Sequence, residues 1–135
     1  MEVKISLIDE IKEEETLAIY VANDWSSAKK PNNLLAALRN SHSLVTARFN
    51  GVLIGLGSAI SDGHLVVYYP HLLVLPEYHG KGVGRKMLQA LQTIYGNYHQ
   101  QILFADGKAI EFYKSVGFVR AGNTKSMWIY EGVDH

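Results

Sequence analysis

The stretch 72–87, LLVLPEYHGKGVGRKM, constrains this chain more than any other. An apolar run and a proline lead into glycines at Gly80, Gly82 and Gly84, and Met87, Leu88, Leu91, Ile94 and Tyr95 then recur at helical spacing. That order predicts a strand, a tight turn and a helix beginning at Val83. Glycine lets a turn adopt backbone conformations closed to other residues and bring its N–H groups close to a ligand. The N–H groups from Gly80 through Arg85 then lie at a helix N-terminus, where unpaired donors and the dipole favour an anion. Lys81, Arg85 and Lys86 add positive charge at the same end. The local chemistry asks for a pyrophosphate-like group; the plainer reading is a tight turn with incidental glycines.

The flanking pattern places this unit in a mixed fold. Residues 3–8 alternate like a strand, Asp9 is placed to cap a helix over about 11–23, and Pro31 suits the first turn of a second helix. Residues 44–49 and 52–60 read as strands joined by Asn50-Gly51, a hairpin signal because both positions accept positive φ. A third run, about 64–75, completes an antiparallel meander. Pro70 interrupts that run, lacks an N–H, and belongs at an edge or a bulge, which leaves backbone groups after it for something other than a neighbouring strand. Beyond the glycine turn, 101–105 reads as a strand parallel to its predecessor. Asp106-Gly107 opens a helix carrying Ala109, Ile110, Phe112, Tyr113 and Val116, Gly117 stops it, and 118–121 with 126–130 read as a closing strand pair.

Composition narrows the classes. With 135 residues, 47% of them hydrophobic, the chain has the size of one domain with a real core, spanning 1–135. Lys+Arg and Asp+Glu balance at 13 each, so no global field draws it to nucleic acid or a membrane surface, and neither is an expected partner. The absence of cysteine excludes disulfides, thiol nucleophiles and thiolate metal sites and fits a cytoplasmic protein. No basic-then-apolar signal pattern opens the sequence, and no apolar run approaches membrane-spanning length. His42, His64, His71, His79, His99 and His135 are scattered without ligand-pair spacing, so no metal is expected. A mononucleotide loop would need Gly-x-x-x-x-Gly-Lys-Ser/Thr, and no lysine fits that frame. A dinucleotide fold would need Gly-x-Gly-x-x-Gly and a longer parallel sheet; Asp106 mimics its acidic residue, but the glycine spacing is wrong.

Two blocks, VLPEYHGKGVGRKML and LFADGKAIEFYKSVGF, resemble the motif blocks of the GNAT superfamily of acyl-CoA-dependent N-acetyltransferases. They cover roughly the C-terminal half, and the element order of the rest suits the family. The first block has His79 where Gln or Arg is usual. In the second, Asp106, Ala109, Tyr113, Gly117 and Phe118 fill the pattern, with Asp106 in place of the usual Asn. A carboxylate cannot donate a hydrogen bond to a cofactor as that Asn would. The resemblance implies an α/β (α+β) fold: a mixed, mostly antiparallel twisted sheet of six to seven strands, about four flanking helices, and a cleft splayed between the fourth and fifth strands.

It also implies acetyl-CoA as acyl donor and a small-molecule or protein amine as acceptor, with no metal. Leu72, Leu73 and Val74 would pair through their backbone with the pantetheine arm. His79, Gly80, Lys81, Gly82, Val83, Gly84 and Arg85 would form the pyrophosphate loop. Tyr113 occupies the general-acid position, protonating the thiolate; the plainer reading is a core aromatic beside Phe112. His71, just before the acetyl-bearing segment, is the candidate base for the amine proton, since its ordinary pKa near ~6.5 suits that work at neutral pH; otherwise it is a histidine bonded within the sheet. Trp25, a large aromatic in a polar linker, either walls the acceptor pocket or packs on the core edge. The alternative function is a non-catalytic acyl-CoA-binding or sensing module. Many family members pair as homodimers, and the sequence leaves the oligomeric state open.

Overall fold

The computed structural model describes residues 1–134, and His135 lies outside the described residues. The strand-forming runs become one sheet in the order β1 (Lys4–Ser6), β2 (Ser43–Phe49), β3 (Val52–Ser61), β4 (Val66–Val74) and β5 (Gln100–Ile102). Pairing is antiparallel from β1 to β4 and parallel between β4 and β5. The β2–β3 hairpin turns at Asn50 and Gly51, at φ 51° and 79°, as that dipeptide predicts.

The alternation of the strands splits the core in two. On one face α1 (Glu13–Ala22) and α2 (Pro31–Arg39) bury Ile19, Tyr20, Leu34, Leu35 and Leu38 against Leu53, Leu56 and Leu73. On the other, α3 (Val83–Tyr95) lays Val83, Met87, Leu88, Leu91 and Tyr95 onto Val45, Ala47, Ile54, Ala59 and Val67. Burial of those five α3 side chains stabilises the layer by on the order of 10 kcal/mol. The short helix α4 (Ala109–Ser115) lies beside the start of α3, its Phe112 and Tyr113 packed onto the second cluster.

Two expectations are corrected. Asp9 does not cap α1, whose N-cap is Lys12, with the Lys12 N–H donating to Glu15 at 3.0 Å. Asp9 instead accepts from Thr46 at 2.8 Å and from Arg48 at 2.7 Å, and Arg48 also binds both Glu15 oxygens at 2.8 and 2.9 Å. A β2 side chain thus ties the start of α1 to the sheet, a demand stronger than a local cap. Among the described residues the closing strand pair is also absent, and the sheet there has five strands rather than six or seven. Residues 118–130 run without regular structure, and Val119 and Met127 are 85% and 90% exposed. A strand needs a partner ladder, and β5 is only three residues long. The tail fastens instead by Asp134, which accepts from the Ser26 N–H and hydroxyl and from the Tyr130 hydroxyl.

Candidate functional site

The site begins with the backbone defect at Pro70. Ser58 pairs with His71 and Ile60 with Tyr68, so Ala59 faces two β4 residues, Tyr69 and Pro70. This bulge bends β4 and turns the Tyr69 ring onto the α3 face, where it is buried. The parallel pairing with β5 reaches Tyr68 and Ile102 and goes no further, so β4 leaves its neighbour at the bulge. A cleft of about 730 Å³ opens along the departing segment, lined by Leu72, Leu73 and Val74 on one side and by Ala109, Phe112 and Tyr113 on the other.

Alternation decides which backbone groups face that cleft. The Leu75 N–H donates to Ile54 at 2.7 Å, which marks the odd-numbered β4 residues as the ones bonded to β3. Leu73 therefore turns its backbone groups to β3, and Leu72 and Val74 turn theirs outward. The Val74 carbonyl already accepts from Asn23 Nδ2 at 3.0 Å and His79 Nε2 at 2.7 Å. A carbonyl has two lone pairs, so the groups facing the cleft with capacity for a ligand are the N–H and C=O of Leu72 and the N–H of Val74. Because a carbonyl only accepts, His79 carries its proton on Nε2 here.

The glycine turn closes one end. Gly80 and Gly82 hold φ of 75° and 82°, and Gly82 is the left-handed N-cap of α3. A Cβ at either would meet nothing within 4 Å, so backbone conformation and open approach, rather than crowding, select glycine. Gly84 differs: a Cβ there would lie 3.1 Å from the Phe112 ring, so it sets how closely α4 approaches α3. His79, Gly80, Gly82, Val83, Gly84 and Arg85 all line the cleft; Lys81 is exposed and is not among its lining residues. Arg85 also reaches α4, its guanidinium donating to the Ser115 hydroxyl at 3.1 Å.

Tyr113 projects from α4 into the opposite end, and burial pushes its phenol up to about 12. Trp25 reaches the same end because Asp24, at φ 60°, ends α1 in a left-handed residue and swings the chain back. The indole lines the cleft and meets the His71 ring edge-on at 5.1 Å and the Tyr20 ring at 5.8 Å. Tyr20 is fully buried, burial raises its pKa above the ordinary phenol value, and its hydroxyl lies 2.6 Å from His71 Nδ1. His71 lines neither the cleft nor the smaller pocket of about 200 Å³ that adjoins it at Trp25, Leu72, Ala109 and Tyr113. The structure thus unites the glycine turn, the β4 edge, Tyr113 and Trp25 in one cleft, with His71 behind Trp25.

Sequence reading missed Asn23 and Lys108, both cleft-lining. Asn23 is an ordinary helix-end residue until β4 is seen beside it; Lys108 sits inside the quoted motif and signalled itself only by charge. Among the described residues no group of three or more His, Cys, Asp or Glu is placed to hold a metal, and no helix is long and apolar enough to cross a membrane.

The model of the acetyltransferase (GNAT) family matches residues 6–118. The chain is 30% identical over 122 residues to the N-alpha-acetyltransferase RimI of Mycobacterium tuberculosis, covering 86% of this chain and 75% of that protein. It is 31% identical over 105 residues to the histone acetyltransferase TAP1 of Glycine max, covering 64% of this chain and 43% of that protein. The chain thus spans less than half the length of the plant relatives it matches. A GNAT family protein from Streptococcus pneumoniae superposes with a TM-score of 0.84 at 26% identity, covering 97% of this chain and 100% of the other. A probable acetyltransferase from Staphylococcus aureus gives 0.84 at 25% identity, with 96% and 99% covered.

Proposed function

Because the chain belongs to the GNAT acetyltransferase family, we propose that it transfers the acetyl group of acetyl-CoA directly to a primary amine, in a ternary complex and without a covalent enzyme intermediate. The observation that carries this reading is the cleft at the β4 bulge, with strand edge, glycine turn and Tyr113 on its walls. The fit to the cofactor rests on the turn: two left-handed glycines with open space in front, at the start of a helix, with Arg85 and Lys108 beside them. Acetyl-CoA, when bound, supplies an activated thioester.

The N–H groups from Gly80 to Arg85 hold the pyrophosphate, and Leu72 and Val74 pair with the pantetheine arm as an added strand would. Tyr113 gives its proton to the departing sulfur as the C–N bond forms and the C–S bond breaks. His71, behind Trp25, accepts the amine proton through water, with its Nδ1 paired to the Tyr20 hydroxyl. Tyr20 stays neutral, so it orients the imidazole and supports the imidazolium by a hydrogen bond alone. Trp25 walls the acceptor side. A protein without cysteine fits the cytoplasm, where acetyl-CoA is available.

The test is a panel of amines with acetyl-CoA, read by CoA release and by the mass of the acetylated product, and repeated with Tyr113→Phe. Turnover that collapses in Tyr113→Phe supports the reading. Tight acetyl-CoA binding with no turnover across the panel would assign the chain to non-catalytic acyl-CoA binding instead.

A further inference from the structure

The smaller pocket has a different chemistry from the cleft it joins. Four rings line it, Trp25, Tyr69, Phe104 and Tyr113, and its one charged lining residue is Asp106. Arg85 and Lys108, the cations of the cleft, are not part of its wall. The Asp106 carboxylate makes no hydrogen bond or ion pair with another described residue. Tyr69 is fixed in place by donating to Gln101 at 2.6 Å, and Phe104 packs on the Tyr68 ring at 5.5 Å, so the aromatic wall is a held surface.

Charge is therefore segregated across Tyr113, with cations on the side of the glycine turn and a lone carboxylate among π-faces on the other. Aromatic faces and a carboxylate attract cations and repel anions. The reacting amine must be neutral when it attacks, and His71, its proton acceptor, does not line this pocket, so the cation suited to it is a second one. We infer that this pocket is a subsite for the non-reacting ammonium of an aliphatic diamine, with Asp106 as its counter-ion and Trp25, Phe104 and Tyr69 around its methylene chain. The inference rests on the acetyl-transfer reading above, and it accounts for a carboxylate standing where the motif usually carries an amide. About 200 Å³ holds on the order of six or seven non-hydrogen groups, the size of a short diamine.

Three acceptors of similar length test it: 1,4-diaminobutane, butylamine and 4-aminobutanoate. The expected order of kcat/KM is diamine above butylamine above the amino acid. In Asp106→Asn the preference for diamine over butylamine falls about tenfold. An unchanged preference in the variant, or none in the native protein, overturns the subsite. Calorimetry of 1,4-diaminobutane with the CoA-loaded protein separates this failure from that of the transfer reading. If no amine is acetylated, transfer fails, and diamine binding that Asp106→Asn weakens still upholds the subsite, whereas binding indifferent to Asp106 removes it.

Discussion

Tyr113→Phe removes one oxygen from a side chain whose ring stays packed on Phe112 and Phe118, at 5.1 and 5.7 Å, so the fold and the cofactor groove should survive. The chemistry should not. Burial lifts the phenol to about 12. Full proton transfer to a thiolate of ordinary pKa near ~8.5 is then uphill by about 3.5 pK units, or about 5 kcal/mol, against about 2 kcal/mol from an unperturbed phenol. A gap of that size favours proton movement in step with C–S cleavage, followed by return of a proton to Tyr113 from water. Loss of a positioned acid of this kind lowers kcat by about 10²-fold, with KM for acetyl-CoA changed little. The sign of the pH effect is distinctive. An acid works while protonated, so a phenol raised to about 12 keeps the native kcat free of a falling alkaline limb up to about pH 11. Steady-state rates across pH 6–11, with product mass as readout, check both points. A Tyr113→Phe enzyme within about twofold of the native kcat would refute the catalytic assignment, and an alkaline limb near pH 10 that vanishes in the variant would refute the burial argument.

His71→Ala should lower kcat/KM by about 10²-fold at neutral pH and abolish the acidic limb of the profile, whereas Tyr20→Phe, which deletes only the hydroxyl at Nδ1, should shift that limb and cost several-fold; matched native profiles would remove the base role. Gly82→Ala forces a side chain into φ 82°, straining the N-cap of α3 by about 1–2 kcal/mol and raising KM for acetyl-CoA about tenfold, as initial rates against acetyl-CoA would show. Arg48→Met should cost about 2 kcal/mol of stability at pH 7 in urea melts, because it strips the partner from Asp9 and Glu15, each about a quarter exposed. Burial raises the Asp9 pKa, but hydrogen bonds from Arg48 and Thr46 outweigh it; for Glu15 the Arg48 hydrogen bond dominates, and both carboxyls lie below their ordinary 3.8 and 4.5. Their contribution is complete above those ordinary values and is lost as pH falls through the lower folded ones, so native acid unfolding should steepen below about pH 4 and the variant should unfold at higher pH.

Local signals with one physical solution were legible in the chain itself. Asn50-Gly51 could only turn at positive φ, the α3 stripe from Val83 to Tyr95 could only bury one face, and Gly80 and Gly82 marked a turn that runs through positive φ into a helix. Pro70, with no N–H to give, marked the place where β4 lets go of β5. What remained open depended on partners far away in sequence. Asp9 turned to Arg48 rather than α1 because β2 brings a guanidinium within 2.7 Å, and the closing strands did not form because no adequate ladder stood beside them. Which of Leu72, Leu73 and Val74 face the cleft is a matter of ladder register, and the pairing of Tyr20 with His71 spans 51 residues of chain. Backbone chemistry and periodicity are properties of neighbours along the chain. Burial, hydrogen-bond partners and the meeting of Asp106 with four aromatic rings arise only when the sheet brings distant residues to one edge.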